Sequence, residues 1–366
     1  MSDLTDFFSK YAAPVIGPFK KTYRNYRNNV IFNKDFVKTY DPLMPKLTDG
    51  QKEELDSYYG RYGFCMKPYY NYYRFLTAAN GIFSKELMFN SFVNDEIVPR
   101  FNTPKMSPAW SDKCYLDKLL QGVPVPRTIL RNINGYFFDH DFKPIGNKCA
   151  EKIFETHNGP LIVKKSILTG GGSSFTKHEG PLSAAGVFSA YKRNFVVQEL
   201  IRQAKVLSDM NPSSLNTLRV ISFNFKGEIN ILLSALRVGA ENSCVDNISS
   251  GGIAFGVNND GRLLSTAREH WGWPVKHPKS ETIEKNNIVI PSYDRIIEII
   301  KEQHPRFPHF GFIAWDFAVD SEGKPIVVEM NLTQINVQPF QEAAGRPFFG
   351  NMTEEVLREA GSRNFI

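Results

Sequence analysis

The stretch that most constrains the fold of this chain lies between residues 311 and 331. Two runs rich in apolar and β-branched residues, Phe312 to Asp320 and Pro325 to Asn331, flank the polar segment Ser321 to Lys324. This pattern is typical of a β-hairpin that is closed by a four-residue loop. The register of such a hairpin decides which of its polar side chains meet.

The register predicted for the hairpin brings three oxygen-bearing side chains together. If Asp320 pairs with Pro325, then Asp316 lies opposite Glu329, and Asn331 projects on the same face as Glu329. Two facing carboxylates repel each other by up to about 1 kcal/mol unless a positive group lies between them. A hard cation such as Mg²⁺, which takes carboxylate and amide oxygens, fits this arrangement. The alternative is an ordinary hairpin with an exposed polar face.

Length, charge and cysteine usage narrow the class of protein. At 366 residues the chain exceeds the usual size of one hydrophobic core, so two or three subdomains are expected. The net charge of +6 is mild and gives no nucleic-acid signature. The four cysteines form no CxxC pair and no Cys/His metal pattern, which indicates reduced thiols in a cytoplasmic protein. We find no secretory signal and no apolar run of the ~18 residues that span a membrane.

The N-terminal region, residues 1–110, is predicted to be mainly helical and is rich in aromatic and basic residues. Basic side chains alternate with tyrosines between residues 20 and 27, which suits a solvated amphipathic helix or weak contact with a membrane surface or an anionic glycan. Further along, Thr48 to Gln51 matches a helix capping box. Ser111 is expected to cap the helix that continues through Leu116 to Leu120.

A strand that ends in lysine leads into a glycine-rich turn between Leu161 and Phe175. Successive glycines let backbone N–H groups gather around an anion, and lysine supplies a point charge for phosphate. The glycines follow the lysine, so the segment is not a Walker A loop; taken alone, it equally fits a surface loop. Lys164 and Lys165 project to opposite faces of the strand, which leaves open which of them faces a phosphate.

Two arginines lie within apolar strands, where a guanidinium needs an anionic partner. Arg219 opens the strand that follows the polar string Asn211 to Asn216, and Arg237 lies in the next apolar run. Each arginine alone fits a structural ion pair. Gly251-Gly252, shortly after Asp246, indicates a close approach between two backbone segments.

The order of these parts resembles the ATP-grasp superfamily: a lysine strand, a glycine loop, a linker strand, arginine strands and the final hairpin. More closely, the chain is similar to the sugar-transfer-associated ATP-grasp family of polysaccharide biosynthesis. The matching stretches lie within residues 50–345 and are Ser111 to Lys113, Arg131 to Gly135, Leu161 to Lys164, Gln198 to Ile201, Asn211 to Arg219, Gly251-Gly252 and the hairpin.

The resemblance implies an α+β fold of the ATP-grasp type, in which two α+β subdomains clasp ATP. Residues 111–200 would form the subdomain with the lysine strand and the glycine-rich loop. Residues 201–366 would form the subdomain with the metal-binding hairpin and a C-terminal helix, and residues 1–110 would precede both as the helical region.

The resemblance also implies roles for individual residues. The implied cofactor-binding residues, for phosphates and adenine, are Lys113, Lys164, Gly170, Gly171, Gly172, Ser173, Ser174, Gln198, Glu199 and Ile201. The implied ligands of Mg²⁺ are Asp316, Glu329 and Asn331. The implied catalytic residues are Arg219 and Arg237, which would steady an acyl phosphate or an oxyanion. No acidic residue clearly matches the one that would bind the ribose hydroxyls of ATP, and Asp209 is the one candidate named for that role.

The activity implied by the resemblance is that of an ATP-dependent carboxylate-amine ligase. It would form a carbon–nitrogen bond through an acyl phosphate and release ADP, with ATP and Mg²⁺ as cofactors. The implied substrates are a uronic acid or an amino acid attached to a surface polysaccharide, such as a capsule, or to its precursor. Two alternatives stay open: a kinase acting on a sugar or polyol hydroxyl, and a non-catalytic module that binds nucleotide or glycan.

Overall fold

The computed structural model describes residues 43–167, 175–178 and 183–363. The strands in these ranges are β1 Thr128–Ile133, β2 Tyr136–Asp139, β3 Pro144–Ile145, β4 Leu161–Lys165, β5 Phe175–His178, β6 Phe195–Glu199, β7 Leu218–Phe225, β8 Glu228–Val238, β9 Ile253–Val257, β10 Leu263–Arg268, β11 Pro274–Val275, β12 Phe312–Val319 and β13 Pro325–Asn331. The α-helices are α1 Asp49–Gly60, α2 Tyr70–Asn80, α3 Asn90–Phe92, α4 Ser107–Trp110, α5 Leu116–Leu119, α6 Asn147–Glu155, α7 Ala184–Tyr191, α8 Lys205–Ser208, α9 Ser280–Asn286, α10 Tyr293–Gln303, α11 Phe340–Ala344 and α12 Thr353–Ser362. Helices and antiparallel sheets together confirm the α+β class.

A six-stranded antiparallel sheet forms from the strands before residue 200 that the structure describes, in the order β3-β2-β1-β6-β4-β5. The strands β1 and β2 are joined by Asn134 and Gly135, whose φ angles are +52° and +96°. A two-residue type I′ loop requires positive φ at both positions, which the Asn-Gly pair adopts more readily than most residues. On the other side of the sheet, β4 places Lys164 opposite Val196 of β6.

The second antiparallel sheet has seven strands within the described ranges, in the order β11-β10-β9-β8-β7-β12-β13. Its edge hairpin pairs Asp316 with Glu329, as predicted. The expected pairing of Asp320 with Pro325 is wrong, because Val319 takes that place and a bulge shifts the register after Asp316. Asp320 instead closes the turn, since its carboxylate accepts hydrogen bonds from two backbone N–H groups of the loop.

Alternation along β12 turns its neighbouring side chains to opposite faces of the sheet. Trp315 is fully buried and donates from Nε1 to the Ser222 hydroxyl at 2.8 Å, and that hydroxyl lies 2.7 Å from His304 Nδ1. Burial lowers the pKa of His304 to about 4, so this imidazole stays neutral at pH 7. The buried Trp315 therefore anchors the strand while Asp316 faces the other way.

The helices before residue 110 pack on the seven-stranded sheet, and one hydrophobic cluster joins residues 47–101 to strands β7, β8 and β12. The capping box predicted at Thr48 is confirmed, with reciprocal hydrogen bonds to Gln51. The predicted cap at Ser111 is wrong: its hydroxyl donates to the Ser107 carbonyl, and Asp112 accepts the capping bond from Cys114 N at the first turn. Within the described ranges, no helix has the length and apolarity needed to cross a membrane.

Candidate active site

A cavity of about 750 Å³ lies between the two sheets. The charged residues that line it are Lys113, Lys164, Lys165, Arg219, Arg237, Asp246, Asp316 and Glu329. The ammonium of Lys165 is held by backbone carbonyls at the end of α7. Even without it, four cationic and three anionic side chains leave a positive excess, which favours an anionic ligand. The structure thus brings together the predicted phosphate lysines, the predicted catalytic arginines and the acidic hairpin residues.

At the floor of this cavity, the Asp316 carboxylate lies between two arginines. Arg219 donates from Nε to Oδ1 at 2.5 Å and from Nη2 to Oδ2 at 3.0 Å, while Arg237 Nη2 lies 3.1 Å from Oδ2. Burial alone would raise the pKa of the Asp316 carboxyl, but the two guanidiniums outweigh burial and lower that pKa below its ordinary value. Both arginines, which need an anionic partner within their apolar strands, therefore share the Asp316 carboxylate.

The second carboxylate of the hairpin, on Glu329, pairs with a lysine. Its Oε1 lies 2.9 Å from Lys113 Nζ, and the glutamate side chain is 28% exposed, so this pair borders the open part of the cavity. The backbone N–H of Lys113 donates to the Ser166 carbonyl at 3.1 Å, just beyond the end of β4. This contact ties Lys113 to the strand that carries Lys164.

Lys164 and Lys165 point in opposite directions, as strand alternation requires. Lys164 interacts electrostatically with Lys113, Glu329 and Asp246, whereas Lys165 Nζ donates to the backbone carbonyls of Tyr191 and Arg193 at the end of α7. We therefore assign Lys164 to the face of β4 that meets the charged cluster.

Replacing Lys164 with alanine is expected to weaken the binding of Mg·ADP by about tenfold or more, because a charge-assisted contact to phosphate is lost. Lys165→Ala serves as the matched control, since its ammonium is held by carbonyls at the end of α7. Isothermal titration calorimetry measures both dissociation constants. An equal or larger loss in Lys165→Ala would contradict the assignment.

The affinity for Mg·ADP is also expected to depend on pH. Burial, followed by the positive charge of Lys113, lowers the pKa of Lys164 to about 8. Phosphate prefers the protonated ammonium, so affinity should be highest below this pKa and fall as the pH rises through it. Titrations across this pH range should show the step in the wild type and lose it in Lys164→Ala. A step of unchanged size in the variant would assign the titration to another group.

Asp246 is a functional candidate that sequence reasoning did not select. It lines the cavity, and its Oδ2 accepts hydrogen bonds from the backbone N–H and the hydroxyl of Thr217 and lies 3.3 Å from Arg237 Nε. Burial raises the pKa of the Asp246 carboxyl, and Arg237 and Thr217 offset only part of that rise. The sequence signal for Asp246 was the nearby Gly252. A Cβ at Gly252 would lie 2.9 Å from the Asp246 carbonyl oxygen, so a glycine is needed for the two backbone segments to approach and hold the Asp246 loop in position.

Other predicted site residues do not line the cavity. Gln198 is buried, and its amide donates to the Thr128 hydroxyl at 3.4 Å, while Glu199 pairs with Arg127 at 2.8 Å. Ile201 also lies outside the lining, and Asp209 pairs with a neighbouring lysine on α8. The adenine roles of the strand end therefore stay predictions. The glycine-rich loop, Gly170 to Ser174, and the basic segment between residues 20 and 27 lie outside the described residues.

The chemistry of the hairpin fits a magnesium ion. Asp316, Glu329 and Asn331 offer oxygen donors on the lining of one cavity, and the Asn331 amide nitrogen donates to the Ala314 carbonyl at 3.3 Å, which leaves its own oxygen available. Each carboxylate already attracts cationic side chains. The described residues contain no group of three acidic, histidine or cysteine side chains placed to hold a metal. The predicted site instead combines two carboxylates with the amide of Asn331.

The sequence matches a known protein family. The family model described as sugar-transfer associated ATP-grasp matches residues 92–356. The ATP-grasp ligase PsnB with a minimal precursor is 15% identical over 71% of this chain and 64% of that chain, with a TM-score of 0.37. Biotin carboxylase from Campylobacter jejuni is 15% identical over 70% and 47%, with a TM-score of 0.42. L-amino acid ligase from Bacillus licheniformis is 12% identical over 69% and 48%, with a TM-score of 0.37.

The chain thus spans between 47% and 64% of the length of these three solved proteins. No curated protein matches the sequence.

Proposed function

Because the chain belongs to the sugar-transfer-associated ATP-grasp family, we propose that it is an ATP-dependent ligase that joins a carboxylate to an amine. The observation that carries this proposal is the cavity in which Lys113 and Lys164 face the acidic hairpin beside two buried arginines. Such a site is suited to holding a polyphosphate and a second, anionic substrate at the same time.

The reaction we propose has two steps. A carboxylate oxygen of the substrate attacks the γ-phosphorus of ATP, the bond to the bridging oxygen breaks, and ADP leaves. The amine nitrogen then attacks the carbonyl carbon of the acyl phosphate, phosphate leaves with the former carboxylate oxygen, and the nitrogen loses a proton. Phosphoryl transfer of this kind depends mainly on in-line positioning and on neutralisation of charge.

Different residues of the cavity would have different roles in this reaction. Lys113 and Lys164 would bind the phosphates of ATP. Asp316, Glu329 and Asn331 would hold Mg²⁺, which when bound neutralises phosphoryl charge. Arg219 and Arg237 would stabilise the acyl phosphate or the oxyanion that forms when the amine attacks it.

We further propose that the substrate is a uronic acid or an amino acid destined for a polysaccharide. The family's description as sugar-transfer associated supports this assignment. The four cysteines are free thiols, which supports a reducing, cytoplasmic setting where ATP is supplied.

A screen of amino acids and uronic acids for ATP-dependent ADP release tests the proposal, with hydroxylamine added to intercept the activated carboxylate. We expect a hydroxamate that forms only in the presence of ATP and one of these acids. A stable phosphorylated product would instead establish a kinase, and no ADP release with any candidate substrate would leave a non-catalytic module. A mock preparation from cells that do not express the protein, run in parallel, identifies activity from a contaminating enzyme.

A further inference from the structure

A hydrogen-bonded relay connects Arg237 to Asp246 through the Thr217 hydroxyl. Arg237 donates to Thr217 Oγ1 from Nε at 3.1 Å and from Nη2 at 2.7 Å. Because a guanidinium only donates, the hydroxyl must direct its own proton to Asp246 Oδ2, with which it is in hydrogen-bond contact. The orientation of every bond in the relay is therefore fixed.

The same edge of Arg237 also contacts Asp316, because its Nη2 lies 3.1 Å from Oδ2. Arg219 likewise uses Nε and Nη2 to hold Asp316. In the part of the chain that the structure describes, the Nη1 atom of neither arginine has a hydrogen-bond partner, although both residues line the cavity. Two guanidiniums thus share one buried anchor and keep one nitrogen each for a ligand.

The loop that carries Asp246 is itself held in place by the polar string before β7. Asn211 donates from Nδ2 to the carbonyls of Gly239 and Ala240 at 2.9 and 2.8 Å, where β8 runs into this loop. On the far side, Gly252 leaves no room for a Cβ beside the Asp246 carbonyl. Asp246 is therefore fixed by backbone packing as well as by its side-chain contacts.

We propose that Thr217 and Asp246 are positioning residues of an oxyanion site, in which the Nη1 groups of Arg219 and Arg237 bind the oxygens of a phosphate or an acyl phosphate. The relay holds the Arg237 guanidinium in one rotation, so that its Nη1 group is aimed at the ligand before it binds. A pre-oriented guanidinium loses less conformational entropy when the anion arrives. This inference rests on the proposed ligase function, because it concerns the phosphate which that reaction releases.

Inorganic phosphate is the probe for this site, titrated into the protein that has been saturated with Mg·ADP. Thr217→Val removes the hydroxyl and retains the branched shape. We expect the dissociation constant of phosphate to rise by about tenfold or more, because a hydrogen bond to a charged group is lost. The affinity for Mg·ADP should stay within about twofold, since Thr217 contributes to the arginine contacts and not to the lysines.

Two further variants separate positioning from a general loss of structure. Thr217→Ser restores the hydroxyl and should recover phosphate binding, whereas Ser213→Ala removes an exposed hydroxyl of the same polar string and should change nothing. If Thr217→Val folds poorly, as judged by its melting temperature, Asp246→Ala, which removes the acceptor of the Thr217 hydroxyl, provides the same test from the other end of the relay.

The outcomes separate this inference from the proposed function. Phosphate binding of normal strength in folded Thr217→Val, or no phosphate binding by the wild type that is saturated with Mg·ADP, would overturn the oxyanion site. A wild type that fails to bind Mg·ADP at all would instead overturn the proposed ligase.

Discussion

Replacing Asp316 with alanine is expected to destabilise the folded protein by about 3–5 kcal/mol and to abolish ATP-dependent turnover. The substitution removes the shared partner of Arg219 and Arg237, whose side chains are only 4% and 13% exposed. Arg219 would then lose its carboxylate partner in a site that excludes most water, and Arg237 would keep only Asp246. The free energy of unfolding in urea and the rate of ADP release measure the two effects.

Glu322→Ala is a suitable control for this experiment, because Glu322 lies exposed in the turn of the same hairpin. Its effect on the free energy of unfolding should stay within about 0.5 kcal/mol. The pKa of Asp316 is lowered in the fold, so its stabilising contribution is present above the unfolded value of 3.8 and is lost as the pH falls below it. Asp316→Ala should therefore flatten the acid limb of the stability profile. An unfolding free energy equal to that of the wild type would contradict the buried-anchor role.

Glu329→Gln is expected to reduce ATP-dependent turnover by about a hundredfold or more while leaving the fold intact. The amide keeps the shape of the side chain but removes the negative charge that would hold Mg²⁺. The fold should tolerate this change, because the ion pair with Lys113 is partly exposed and contributes at most about 1 kcal/mol. Steady-state kinetics at increasing Mg²⁺ concentration, together with urea unfolding, checks both statements.

The matched control for Glu329→Gln is Glu228→Gln, which removes an exposed carboxylate at the start of β8 in the same sheet. This control should turn over at the wild-type rate. Near-normal kcat/KM in Glu329→Gln would remove the metal assignment, and loss of folded protein would show that the ion pair with Lys113 is structural.

The meeting of Asp316 with Glu329 could be predicted from the sequence, because period-two alternation and a short loop limit the possible registers of a hairpin. The prediction failed at the turn, where β13 accommodates one extra residue and Asp320 bonds the loop instead of a strand partner. A bulge of this kind follows from local hydrogen bonding, which the apolar pattern does not report. The predicted pairing of Asp316 with Glu329 is correct because the bulge lies between Asp316 and the turn.

The sharing of Asp316 by two arginines could not be predicted in the same way. Arg219 and Asp316 are 97 residues apart, and they meet because β7 and β12 are neighbours in the sheet. Composition shows that a strand-borne arginine needs a partner, but only the strand order shows which carboxylate it is. Asp246 was missed for a related reason, since its loop reaches the cavity through the close approach at Gly252.

The transfer of ¹⁸O to inorganic phosphate, from a substrate whose carboxylate is labelled at both oxygens, tests the central claim most directly. In an acyl-phosphate mechanism the carboxylate oxygen that attacks ATP leaves with the phosphate, so mass analysis should find one ¹⁸O atom in each phosphate released. Phosphate that carries no label, formed in step with ligated product, would contradict the account of this cavity as a site where ATP activates a carboxylate.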